Sequence, residues 1–475
     1  MPTFASAETN SVFAELAAAN RAFLQRYPGP TPERQPVHTV YGGAHLFHAE
    51  TTARLGALAL GAMDSYGRDP IELALGVGYV KDVSSLSAGA DALAREYAAD
   101  AAELRRRNPA AWLVGAVHER VRRKLEREPV EDYRIDFEDG FGARPDEEED
   151  AVARQAAREL AGAFARGSLP PFIGIRIKSF SEEWAARGAR TLELFLGELL
   201  GATGGGLPQP FLITLPKVTI PEQPRALVRL VDLLEQRHRL APGALRVELM
   251  VEQTQALIGP DGRCPLPDLL AACDGRCFGA HLGTYDFTAS CNLTAAYQTM
   301  RHPLCDLAKG MMVLALGGTG LFLSDGATNV MPTGPHKGKE LSAEALEQNR
   351  RVVHAAWQLT HGNIRHSLEG GFYQGWDLHP AQLPVRYATT YAFFLEGFST
   401  AAERLRNFID KAAQATLVGD VFDDAATGQG LLNYFVRAHN CGAISDAELA
   451  VTGLTLEEFH LRSFAKILAA RRARG

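Results

Sequence analysis

The chain has 475 residues, enough for one large domain with additions or for two or three domains. Its 46% hydrophobic and 22% charged residues are ordinary for a globular fold, and a net charge of −7 with a pI near 6.1 leaves no basic footprint for nucleic acid. The opening MPTFASAETNSVFAEL lacks the basic start and apolar core of a secretory signal, and the most apolar later run, GMMVLALGGTGLFLSDG, is too short and too glycine-rich to span a bilayer. A cytoplasmic protein without a membrane partner is expected.

Residues 1–35 contain a helical stretch, SVFAELAAANRAFLQRY, closed by PGP. Eight short β-rich runs follow, alternating with amphipathic helical patterns: VHTVYGG (37–43), DYRIDFED (132–139), FIGIRIK (172–178), FLITLPKV (211–218), RVELMVE (246–252), CFGAHLGTYD (277–286), TGLFLSD (319–325) and FYQGWDLHP (372–380). Strand–helix alternation predicts a parallel sheet, and eight units of it predict a closed (β/α)8 TIM barrel over residues 36–390. The stretch 68–131, between the first two strands, reads as two or three helices inserted in one connection. Residues 391–475 read as a helical C-terminal extension, and no internal repeat is visible.

The six cysteines are too sparse for a disulfide scaffold, and Cys264, Cys273, Cys277 and Cys291 lack the C-x-x-C pair usual in zinc sites. Buried reduced thiols are expected. GATGGG and GGTG are glycine turns, since neither completes a phosphate-binding or dinucleotide-binding motif.

The polar residues near the C-terminal ends of the runs carry the functional reading. They are Glu138 and Asp139, Arg176 and Lys178, Lys217, Glu252, Asp286, Asp325 and His379. Barrels of this kind hold their active sites at that rim. Glu252 and Asp286 end consecutive runs and can face one point, and two carboxylates with room for water suit Mg²⁺. An arginine within GIRIK needs an anionic partner if buried, either a substrate carboxylate or an internal salt bridge to Glu138 or Asp139. Gly42 and Gly43 end the first run and leave room for a substrate backbone or phosphate. Lys217 can face the site or pair with a rim carboxylate.

In order, the motifs DFEDG, IRIK, TLPKV, ELMVEQT, GTYDF, LSDG and WDLHPAQ resemble the citrate lyase β-subunit/HpcH–HpaI aldolase superfamily, above all its citrate-lyase-like branch and more distantly malate synthase. The resemblance covers roughly residues 37–390. It implies Glu252 and Asp286 as ligands of Mg²⁺ (with Mn²⁺ as the alternative), and Arg176 as the group that binds a substrate carboxylate or carbonyl oxygen. Glu138 and Asp139 would orient metal waters and Arg176, with direct metal contact or a solvated turn as the other readings. It argues against a Schiff-base role for Lys217. It places His379 where the last strand closes the barrel, as a substrate-binding or proton-transferring group or as a histidine fixed by hydrogen bonds. Its C-terminal general acid or base would be Asp423 or Asp424, each of which could instead cap the helix that follows. Glu252–Gln253 stands where the family has Glu-Thr, and Lys178 where it usually has asparagine, so the substrate can differ.

The resemblance implies a Mg²⁺-dependent carbon–carbon lyase or aldolase acting on a hydroxy acid or its CoA thioester, releasing or condensing a 2-oxo acid or acetyl unit. A malate-synthase-like condensing enzyme, an acyl-CoA thioesterase and a non-catalytic ligand-binding barrel are the alternatives. The partners implied are a small 2-oxo acid or hydroxyacyl-CoA and further copies of the chain in a homo-oligomer.

Overall fold

Each of the eight β-rich runs forms a strand in the computed structural model, which describes residues 6–474 except 30, 32, 85, 87–88, 339, 411–415, 419–420, 424 and 462. The strands are β1 (His38–Gly43), β2 (Asp132–Asp136), β3 (Phe172–Arg176), β4 (Phe211–Leu215), β5 (Leu245–Val251), β6 (Cys277–Leu282), β7 (Phe322–Ala327) and β8 (Gln374–Asp377). Each pairs in parallel with the next, and β8 closes on β1 to complete the expected (β/α)8 barrel.

Several strands are shorter than the runs read from the sequence. In β2 the cause is visible: the Asp136 carboxylate accepts the backbone amides of Glu138 (2.9 Å) and Gly140 (2.7 Å) and turns the chain out of the ladder. Glu138, Asp139 and Lys178 therefore lie in loops beyond the strands, and Asp286 lies in the short helix Thr284–Ser290. Asp325 is inside β7 but is fully buried against Lys309 (3.1 Å) and Ser367 (2.6 Å), which sit on helices outside the barrel. It is a strut between sheet and helices rather than a rim residue.

Side-chain alternation sorts the strands into an outer and an inner face. Tyr133, Ile135, Ile173 and Ile175 join the large core under the surrounding helices, whereas Asp132, Arg134 and Asp136 recur at the alternate positions of β2. A smaller apolar cluster of Phe172, Leu212, Phe278 and Phe322 stands at the N-terminal ends of its strands. Above it is a fully buried polar layer. The Arg134 guanidinium pairs with Asp132, donates to Glu248 through Nε (3.0 Å) and Nη2 (2.8 Å), and donates to Thr214 (3.1 Å). Thr39 bonds Asp132 (2.8 Å) and accepts from Gln374 (2.9 Å).

Five helices matter below. α1 (Ser6–Arg26) precedes the barrel, and α2 (Pro109–Arg127) is the last of five helices between β1 and β2. Pro109 opens α2 and Asn108 caps it by accepting the Ala111 amide (3.1 Å); its buried side includes Trp112, Val117, Val121 and Leu125. α3 (Pro303–Leu316) leads into β7, and α4 (Leu383–Glu396) follows β8 and packs against α2. α5 (Ala425–Asn440) follows a hairpin of β9 (Thr416–Val418) and β10 (Val421–Asp423). The end of α5 lies under the barrel's N-terminal end: Arg437 stacks over Tyr373 at 3.7 Å and donates to Gln35 (3.0 Å), which bonds the Leu323 carbonyl (3.1 Å).

All six cysteines are unpaired; four are buried, and Cys264 and Cys291 are half-buried. Among the described residues no helix is long and apolar enough to cross a membrane.

The buried Arg134 layer is expected to be costly to break. Arg134→Met leaves Asp132 and Glu248 without their cation and should lower unfolding free energy by about 3–5 kcal/mol in a urea titration. A loss below about 1 kcal/mol would show that the pairing contributes little. A pH effect comes from two other buried carboxyls. Burial would raise Asp377 and Glu131, but Arg386 and His38 hold the first, and Lys124, Arg34 and His38 the second, down to about 2. Both are lower than in the unfolded chain, so their stabilisation is complete above the ordinary carboxyl range and is lost as pH falls from about 4 to about 2. The urea midpoint should drop across that window, and Glu131→Gln should make the drop shallower.

Candidate functional site at the C-terminal mouth of the barrel

Arg176 ends β3 directly opposite Asp136, the last residue of β2. The two are buried and bidentate, with Nε to Oδ1 at 2.7 Å and Nη2 to Oδ2 at 2.5 Å. The remaining nitrogen, Nη1, lies 3.2 Å from Glu138 Oε2, 3.5 Å from Asp139 Oδ2 and 3.6 Å from the Met250 sulfur. The Tyr41 ring is stacked against the guanidinium at 4.9 Å. Burial works against the charge on Arg176, but Asp136 outweighs it and raises the pKa well above its ordinary value. The ion pairs expected with Glu138 and Asp139 are present, yet the principal partner is Asp136. Its signal in the sequence was the alternation Asp132, Arg134, Asp136, which puts three charges on one face of a strand.

Lys217 draws the other carboxyls together. Its backbone is left-handed (φ +52°), an unusual state for a side chain with a Cβ, and its amide donates to Glu252 Oε1 at 2.7 Å. Its ammonium is paired with Glu138 and lies 3.1 Å from Asp139 and 3.7 Å from Asp286. Glu252 is buried behind it, and it fits only because residue 283 is glycine: a Cβ there would collide with the Glu252 carboxylate. Burial, reinforced by Asp286, pushes the Glu252 carboxyl far above the ordinary range; burial also raises Glu138 and Asp286. Burial would raise Asp139 as well, but Glu138, Arg176 and Lys217 hold it low.

Gly42, Gly43, His379 and Lys178 have firm structural partners. Gly42 and Gly43 do not open space for a ligand: a Cβ at Gly42 would strike the Tyr133 hydroxyl, and one at Gly43 the Gly140 carbonyl. The room they create is taken by the protein itself. His379 accepts the Ala381 amide at Nδ1 (3.1 Å) and caps the turn Pro380–Gln382, which is the hydrogen-bonded reading of that residue. Lys178 donates to the carbonyls of Phe137 (2.9 Å) and Gly142 (3.1 Å), so it ties down the loop that carries Glu138 and Asp139. Asp423 ends β10, with its side chain outside the described ones, and Asp424 lies outside the described residues.

Beneath Arg176, Trp376 donates its indole N–H to His281 Nδ1 (3.0 Å) and packs at a tilt on Tyr41 with ring centroids 4.6 Å apart. Because an indole N–H only donates, His281 carries its proton on Nε2, which faces Glu248 at 3.3 Å. This aromatic floor separates the rim from the Arg134 layer. Beside the rim, a cleft of about 260 Å³ is lined by Glu138, Asp139, Lys178, Ser179 and Trp184 among others.

Five carboxyls thus surround two cationic side chains, one of which is already matched by Asp136. Among the described residues no group of three or more His, Cys, Asp or Glu side chains is placed to hold a metal ion. The donor set is nonetheless all oxygen and short of positive charge, which fits a hard cation bound through one or two carboxylates with water or substrate completing its coordination.

The model of the family described as a domain of unknown function, DUF6986, matches residues 16–467. The chain belongs to that family. No curated protein matches it in sequence. Solved structures similar to it include a citrate lyase from Burkholderia xenovorans LB400, at 19% identity and a TM-score of 0.49, covering 71% of this chain and 92% of that one. A malate synthase from Haloferax volcanii in a lead(II) complex follows at 15% identity and a TM-score of 0.41, covering 72% and 88%. At such identities and scores the likeness says nothing about chemistry.

Gly43→Ala is expected to cost about 1–3 kcal/mol of stability, because the loop 138–142 must move to admit the methyl group. Thermal unfolding measures it, and unchanged stability would show that the end of β1 and the loop 138–142 are not in contact.

Proposed function

We propose that the rim holds a divalent cation, Mg²⁺ or alternatively Mn²⁺, on Glu252 and Asp286, and that the protein makes or breaks a carbon–carbon bond next to a 2-oxo acid unit. The observation that carries this reading is the convergence of Glu252, Asp286, Glu138 and Asp139 beside Arg176, with too little positive charge of the protein's own to match them. The order of the rim motifs, similar to that of citrate-lyase-like aldolases, supports it from the sequence side.

Bound there, the cation would supply Lewis-acid polarisation of a substrate carbonyl. The chain's own residues do the rest. Asp136 holds two nitrogens of Arg176, leaving Nη1 to meet a substrate carboxylate or the charge that develops on its oxygen. Asp136 also fixes the turn bearing Glu138 and Asp139, so these carboxylates can orient water and Nη1. Tyr41 and Trp376 close the floor and exclude water from below. Lys217 must swing away from Glu138 as substrate and cation enter. Asp423 or Asp424 is proposed as the group that moves the proton.

The substrate is a hydroxy acid or its CoA thioester, and the same site serves cleavage or condensation by microscopic reversibility. Calorimetric titration with Mg²⁺, alone and with pyruvate, glyoxylate or oxaloacetate, tests the reading. The expected result is cation binding tightened by one of the acids and lost, at least tenfold, in Glu252→Gln and Asp286→Asn. Wild type and variants that bind alike, or turnover unaffected by EDTA, would overturn it.

A further inference from the structure

α1 is a 21-residue helix, about 31 Å long, and every residue from Asn10 to Arg26 is exposed except the half-buried Ala17. Its side chains are not those of a solvated helix. Val12, Phe13, Leu16, Phe23 and Leu24 are 50–64% exposed. Phe13, Leu16, Asn20, Phe23 and Tyr27 fall at alternating spacings of three and four, the seam of a helix that packs along another, with one asparagine inside the seam. Most of the stability of a helix in a protein comes from packing its apolar face, and this face is in water.

A second seam of the same spacing is exposed on α3. Pro303, Leu307, Gly310, Leu314 and Gly317 follow one another at intervals of four and three; Leu307 is 57% and Leu314 86% exposed. Gly310 has open space where a Cβ would be, so another helix can approach closely. The two seams belong to neighbouring parts of the molecule, because Gly29, just after α1, donates its amide to the Gly318 carbonyl, just after α3 (2.8 Å). That anchor ties the end of α1 to the end of α3, and the exposure of both seams shows that they do not cover each other.

We propose that the α1 seam of one copy packs on the α3 seam of a second copy, and the reverse, in a two-fold dimer. Such an exchange is self-complementary and closes, so both seams of both copies are covered. Burying the exposed parts of Phe13, Leu16, Phe23, Leu307 and Leu314 in both copies removes on the order of 1,100 Å² from water, counting a large side chain at roughly 150–200 Å². A stable standard-size interface buries about 1,600 Å². The helix seams alone therefore supply about two-thirds of that area, and the exposed Val12 and Leu24 beside the α1 seam add to it. This inference does not depend on the cation or the reaction proposed above.

Sedimentation of the full chain at micromolar concentration should give twice the 51.5 kDa chain mass. Phe13→Asp with Phe23→Asp on α1, and separately Leu314→Asp on α3, should each weaken dimerisation at least tenfold. Because these side chains are exposed, thermal unfolding of the monomer should be little changed. Oxidising a mixture of a Phe23→Cys or Phe13→Cys chain with a Leu314→Cys chain should give a crosslink between the two different chains. A wild-type monomer at tens of micromolar overturns the proposal. So does a dimer unaffected by both sets of substitutions, or a crosslink formed only between two α1 variants.

Discussion

The carboxylate of Asp136 is the joint on which the mouth of the barrel depends. It takes two hydrogen bonds from Arg176 and one each from the amides of Glu138 and Gly140. One buried anion therefore ends a strand, shapes the turn after it and aims the arginine. Arg176 could not be buried without this partner, because removing a guanidinium from water costs several kcal/mol unless its hydrogen bonds are replaced. The turn could not come so close to β1 without Gly43, whose missing side chain leaves the space filled by the Gly140 carbonyl. Lys178 then fastens the far end of the same loop through two carbonyls.

The barrel interior repeats this logic downward in layers. An apolar cluster stands at its N-terminal end, the Asp132–Arg134–Glu248 layer fills its middle, and Tyr41, His281 and Trp376 separate that layer from the rim. Burying charges is poor economy for stability alone, since well-packed apolar residues of similar volume often do as well. What the charged layer does is fix orientation. His281 has its proton directed to Glu248 because Trp376 donates to its other nitrogen, and Trp376 in turn holds Tyr41 against Arg176. The rotamers beneath the site are thus chosen by hydrogen-bond chemistry, not by packing alone.

The eight strands and their order were legible because each run is short, β-rich and set off by helical periodicity. Rim polarity was legible too, but the reach of each side chain was not. Reading DYRIDFED as continuous strand puts Glu138 and Asp139 at its end; Asp136 ends it instead, by capturing the Glu138 amide, which a propensity argument assigns to the ladder, and the Gly140 amide beyond it. Asp325 looks like a strand-end carboxylate, yet strand alternation turns it outward to Lys309 and Ser367. His379 sits in the right motif, but its ring is committed to a turn. In each case the competing partner comes from elsewhere in the fold or from local backbone amides, and neither is encoded in the spacing of the motif. Arg176 paired with a carboxylate was foreseeable from the cost of burying it; which carboxylate depended on the register between β2 and β3.

Lys217 ties the geometry of the mouth to its electrostatics. Its left-handed backbone is a state that a residue with a Cβ holds only when its surroundings demand it. Here the demand is double: the amide is held by Glu252, and the side chain reaches back to Glu138 and Asp139. With Lys217 in this place, carboxyls from three different connections stand together around one residue. Their mutual repulsion remains, and burial with Asp286 still pushes Glu252 upward. A cation entering from solvent would meet carboxylates already assembled, with only the flexible end of one lysine to displace; the strained backbone at 217 could stay where Glu252 holds it. Pre-assembly of this sort reduces the ordering that binding must impose, because the strain and the like-charge contacts are set up when the chain folds.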